Sequence, residues 1–157
     1  MKCLRLVVIA LVALIAVPAF AQDKPASNME ILRQKIKADK KLLVAANMDL
    51  TEAEAKGFWP MYDAYQADLQ TLNERIGKLI VQYADLYNAK TLTDDASKSL
   101  LDEALAIEQA EVSMRQAYVP KLSVVLPASK VARYLQIENK IRAVIKYELA
   151  DGIPLVP

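Results

Sequence analysis

Apolar positions recur along most of this chain with the period of a helix. Phe58, Tyr62, Tyr65, Leu69, Leu72, Ile76, Leu79, Tyr83 and Leu86 are spaced alternately four and three residues apart. That is a heptad seam over four repeats, the pattern of a long helix packed at a shallow angle on another. Ahead of it, Thr51-Glu52-Ala53-Glu54 reads as a capping box that opens the helix. A helix of ~35 residues spans ~50 Å, which suits an elongated antiparallel hairpin better than a compact globule. Pro60 removes one amide inside it. The heptad phase carries through, so the pattern predicts a kink between Gly57 and Met61 and no helix end there. Gly77 marks either a close helix approach or an open surface position.

The pattern resumes after a break at Asn88-Ala89-Lys90-Thr91. Thr93 caps the next helix, with Asp94 and Asp95 at the positive end of its dipole. Leu100, Ala104, Ile107, Glu111, Met114 and Tyr118 again alternate four and three. Pro120 and Pro127 interrupt this helix, with a bent helical stretch over 121–126 between them. The last helix is expected to begin after Ser129 and to end near Ala150, with Gly152 as its terminator. Val131, Tyr134, Leu135, Ile141, Val144, Ile145 and Leu149 are its inward residues. A first helix is expected from Ser27 or Asn28 to a left-handed stop at Asn47, with Ile31, Leu32, Ile36, Leu42, Leu43 and Val44 as an incomplete stripe. With three glycines and no alternating β-branched run, the predicted class is all-α. The architecture is an elongated, coiled-coil-like four-helix hairpin with long kinked helices.

The N-terminal pattern is of another kind. Met1-Lys2-Cys3-Leu4-Arg5 precedes an unbroken apolar run from Leu6 to Val17, and Pro18-Ala19-Phe20-Ala21 follows. This reads as a signal peptide over 1–21, with Ala19 and Ala21 framing cleavage before Gln22. The run is shorter than the ~20 residues of a membrane span, so no integral span is expected after cleavage. Residues 22–28 form a flexible leader, 29–152 the helical domain and 153–157 an apolar non-helical tail. The expected location is the periplasm or another exported compartment.

Cleavage changes the chemistry on offer. It removes Cys3, the single cysteine, and takes Lys2 and Arg5 from 20 basic residues to leave 18 against 19 acidic. A net charge of −1 is no nucleic-acid footprint. The sequence has no histidine, which removes the usual triad base, haem ligand and di-iron ligand. Three isolated glycines make no phosphate loop. An enzyme is therefore not expected, and neither is a cofactor or a specific transition-metal site.

Two groups of residues remain as candidates. Glu111 and Glu138 fall on helix seams, and Arg115 and Arg142 each lie four residues beyond one of them. Either these four form a buried ion-pair network that fixes helix register, or both glutamates sit at the stripe's edge with their heads in water, the commoner place for a charge. Trp59 and Met61 lie off the seam beside Pro60. They either pack on a neighbouring helix or offer an exposed, adaptable apolar surface to a partner protein.

The two helix starts carry a resemblance. Leu50-Thr51-Glu52-Ala53-Glu54 and Leu92-Thr93-Asp94-Asp95-Ala96 resemble the five-residue motif of the Spy/CpxP family of periplasmic LTxxQ proteins. Glu54 stands where that family has glutamine, and Ala96 departs from it. Phe58-Trp59-Pro60-Met61-Tyr62 and Arg133-Tyr134-Leu135-Gln136-Ile137-Glu138 are similar to segments of its exported relatives, so the likeness runs from about Ile31 to Leu149. The resemblance implies a four-helix hairpin that often dimerises into a curved cradle. It also implies an ATP-independent chaperone or a sensor of envelope or metal stress. The histidines of the metal-binding branch are missing here. Two functions follow as expectations: a chaperone-like, stress-responsive factor that binds unfolded envelope proteins, or a structural adaptor for one dedicated envelope partner.

Overall fold

The computed structural model describes residues 39–157, and these form four helices with no strand among the described residues. The fold is all-α. The expected signal peptide with Ala19, Ala21 and Gln22, the leader, and the start of the first helix lie outside the described residues. Helix α1 covers residues 39–48 here, followed by α2 (Glu52–Ala89), α3 (Asp94–Ser123) and α4 (Ala128–Gly152). Two units divide the chain, 1–40 and 41–157. Of the first, only the helical Asp39 and Lys40 are described.

Cross-helix pairs give the directions. Tyr65 meets Tyr118 and Arg75 meets Glu103, so α2 and α3 run antiparallel. Glu111 meets Arg142 and Glu108 meets Lys146, so α3 and α4 do likewise. Gln66 with Glu138 and Asn73 with Arg142 then place α4 parallel to α2. The antiparallel hairpin expected from the seam is present.

The 38 residues of α2 are continuous through Pro60, and the 30 residues of α3 are continuous through Pro120. Pro120 therefore does not interrupt its helix. Both prolines and the residues whose carbonyls they orphan, Lys56 and Gln116, are exposed, so each missing bond falls on the solvent side of its helix.

Other predicted ends move. Asn47 lies inside α1, its side chain donating to the Leu43 carbonyl, and Asp49 takes the left-handed conformation at φ 48°. At the start of α4 no side chain caps the helix; Pro127 stands in the cap position, and its carbonyl accepts from the amides of Lys130 and Val131. Ser129 is thus already helical. Gly152 closes the last turn without a positive φ, and the extended Ile153 ends the helix instead.

The core gathers where the start of α2, the end of α3 and the start of α4 converge. Phe58, Tyr62, Tyr65, Tyr118, Leu122 and Tyr134 are buried there with Val44 and Met48 of α1. Their rings meet edge to face: Phe58 on Tyr134 at 5.1 Å, Tyr65 on Tyr118 at 5.1 Å and Tyr65 on Tyr134 at 5.5 Å. Such contacts add about 0.5–1.5 kcal/mol each beyond the area buried. Gly57 makes room for the α3–α4 turn, since a Cβ there would lie 2.6 Å from Val125 Cγ1. Gly77 faces open space, the second of the two readings offered for it. Farther along, α2 keeps only Leu72 buried, and α3 only Leu100 and Ile107 before Glu111.

Candidate functional site

The motif-like residues occupy helix starts. The Thr51 hydroxyl accepts from the Glu54 amide at 3.3 Å, and Glu54 Oε2 accepts from the Thr51 amide at 2.8 Å, completing the capping box. The same Glu54 oxygen receives Lys130 Nζ at 2.7 Å, and that ammonium also donates to the Asp49 carbonyl at 2.6 Å. Lys130, joined by the Thr51 amide, holds the Glu54 carboxyl below the usual glutamate range. Thr93 caps α3 by accepting from the Ala96 amide at 3.2 Å. Leu50 packs against the core and Leu92 is half-buried. These residues work as caps and staples. Lys130 went unread because its partners lie on the far side of two turns.

The seam glutamates are buried. Glu111 is 5 % exposed, Glu138 4 % and Arg142 8 %. The pairing runs across helices, with Arg142 Nη2 and Nε donating to Glu111 Oε2 at 2.8 and 3.1 Å. Arg142 Nη1 donates to Asn73 Oδ1 at 2.7 Å, and Gln66 Nε2 donates to Glu138 Oε1 at 2.8 Å. Arg115 is half-buried on the rim of the same cluster. Asn73 and Gln66 carry no mark in the sequence, being polar positions beside a regular seam. A cavity of about 10 Å³ lies between Tyr65, Leu69, Glu111, Arg115, Glu138, Asn139 and Arg142. It has space for at most one water, so this cluster accommodates no organic substrate.

Trp59 and Met61 are not an exposed surface. Both are half-buried and packed against the core. Trp59 stands edge-on to Phe58 at 5.0 Å and to Tyr62 at 5.4 Å, and Lys41 Nζ lies 5.1 Å over its ring. The seam of α2 turns one side to α3 and α4, and α1 brings Lys41 onto the side that carries Trp59.

The exposed apolar residues lie mainly elsewhere. On α3, Leu101 (58 %), Leu105 (55 %), Val112 (39 %) and Val119 (40 %) form a row spaced four, seven and seven. At 100° per residue this row sits roughly a third of a turn from the buried line of Leu100, Ile107, Glu111 and Tyr118. The spacing was legible but lay beside a stronger stripe. On α4, Val144, Ile145 and Tyr147 are exposed, so Val144 and Ile145 do not face inward as expected. The neighbouring Arg142, drawn in by Glu111 and Asn73, sets that helix's rotation.

No group of three or more potential metal ligands occurs among the described residues. Among them, too, no helix is long and apolar enough to cross a membrane. The features define a helical protein with an apolar row on one arm and a sealed charge layer behind it. No protein-family model, curated protein or solved structure matches the chain.

Proposed function

We propose that this chain is an exported, ATP-independent factor that binds other proteins, chaperone-like or responsive to envelope stress, through the α3 row. The observation that carries the reading is the exposure of Leu101, Leu105, Val112 and Val119 along one helix face. Branched apolar residues repeated along one helix face favour contact with apolar segments that have lost their own cover. Contacts of that kind tolerate changes of client sequence, because they demand no fixed polar partner. The signal-like N-terminus supports export to a compartment without nucleotide, and the two Leu-Thr helix starts support kinship with the LTxxQ proteins.

The heptad spacing of the row also favours a second reading, a structural adaptor that takes one helical envelope partner. Aggregation assays separate the two. Purified protein without nucleotide is expected to suppress aggregation of several unrelated denatured clients. Leu101→Ser with Leu105→Ser is expected to remove most of that activity at unchanged helicity. Failure with every client at several-fold excess would favour the adaptor; full activity of the double variant would exclude this row.

A further inference from the structure

Helix α4 is held differently along its length. The buried residues of its first two turns are Val131 and Tyr134, both in the aromatic core, whereas those of the next turns are Glu138 and Arg142. Val144, Ile145 and Tyr147 beyond them are exposed. The anchor is apolar at one end and ionic in the middle. At the far end Tyr83 donates to the Pro154 carbonyl at 2.9 Å, an exposed bond for which water competes.

The ionic part holds two buried carboxylates, Glu111 and Glu138, and the first accepts hydrogen bonds from Arg142. Glu111 of α3 receives both Nε and Nη2 of Arg142, and Lys146 Nζ lies 3.9 Å from the same oxygen and 3.5 Å from Glu108. From α2, Asn73 accepts from Arg142, Gln66 donates to Glu138, and Tyr65 lines the cavity between them. Arg115 of α3 lies on the same cavity. Arginine keeps its charge at every accessible pH, but a glutamate does not. Protonating Glu111 would leave the buried Arg142 cation bonded to neutral oxygens, those of Asn73 and of the Glu111 carboxyl, without the charge that compensated it most closely, which favours its movement into water. The distal turns can make that move while Val131 and Tyr134 stay in place.

We infer that the distal part of α4, from Glu138 to Gly152, is an acid-released arm hinged on the Val131–Tyr134 anchor and latched by Glu111 on Arg142. Opening exposes Tyr65 and Leu69, which line the cavity the arm closes.

Hydrogen exchange read by mass spectrometry, corrected for intrinsic rates, tests it between pH 7 and about 3, below the ordinary glutamate range. Amides of 138–150 are expected to lose at least tenfold more protection on acidification than those of 58–72. Glu111→Gln is expected to show the same selective loss at pH 7. Glu111→Met with Arg142→Met, which replaces the latch by apolar contact, is expected to keep 138–150 protected throughout. Retained protection of 138–150 at low pH in the unaltered protein would overturn the inference. So would loss of protection in step with 58–72, or an acid-labile arm in the double methionine variant.

Discussion

Gly57→Ala and Gly77→Ala form a matched pair in which the chemistry is constant and only the neighbours differ. Both glycines lie inside α2, so alanine contributes the same gain in helix propensity at each, about 1 kcal/mol. At Gly77 nothing lies within 4 Å of the new Cβ, and the full gain is expected. At Gly57 the new atom would lie 2.6 Å from Val125 Cγ1 and 2.9 Å from Val125 Cβ. Rotating the valine relieves the first contact but leaves the second, so the turn backbone must shift. Overpacking of this kind costs about 1–3 kcal/mol. Gly77→Ala should therefore be the more stable of the two variants by about 1–3 kcal/mol, with Gly57→Ala at or below the parent. Urea unfolding at a common m-value measures the gap through the midpoints. Equal midpoints for the two variants would refute the close approach of Val125 to α2.

Thr51→Ala removes a hydroxyl that caps the Glu54 amide and should cost about 1 kcal/mol in the same assay. Tyr134 is fully buried among Phe58, Tyr62 and Tyr65; Tyr134→Ala should cost about 3–5 kcal/mol, and Tyr134→Phe, which loses only the acceptor for Gln66, about 1 kcal/mol. Burial pushes the Tyr62 hydroxyl up to about 12, helped by Glu138 and Asp63, and burial together with the hydrogen bond to Asp68 pushes Tyr118 to about 12. A raised folded-state value means stability is complete below the ordinary tyrosine value near 10 and is lost as pH rises from there through 12. Tyrosinate absorbance from these residues should therefore appear together with loss of helicity in that window; their ionisation near pH 10 with helicity intact would contradict their burial.

What could be read in advance was what adjacent residues decide. The capping box needs only Thr51 and Glu54, three apart on one turn, and the seam through Phe58, Tyr62, Tyr65 and Leu72 needs only the helical period. Passage of the helix through Pro60 also follows from an unbroken phase. The reading failed where the deciding partner came from another helix. Residue type sends Ile145 inward and leaves Arg142 between a buried network and the stripe's edge, and Glu111 and Asn73, 31 and 69 residues away, draw Arg142 in. For Trp59 and Met61, which leave the seam, the sequence left open packing on a neighbouring helix or exposure to a partner; α1 on that side of α2 decides for packing. The α3 row was masked by the adjacent buried line, since a leucine at 101 reads no differently from one at 100. Whether Pro127 or Ser129 begins α4 turned on a turn whose amides are satisfied by a backbone carbonyl rather than a side chain.

The parallel placement of α2 and α4 sets an order of assembly. The α2–α3 and α3–α4 turns are only a few residues long, so each pair of consecutive helices closes a small loop and forms early. Contacts between α2 and α4 have no such help: Lys130 reaches Glu54 over 76 residues and Gln66 reaches Glu138 over 72. Bonds of that span are expected to form after the rate-limiting step, and interactions absent from a transition state govern escape from the native basin. Lys130→Met and Gln66→Ala should thus steepen nothing on the refolding limb of a chevron and raise the unfolding limb. The same salt bridge that looks like a local staple at a helix start is a timer on how long the folded molecule lasts.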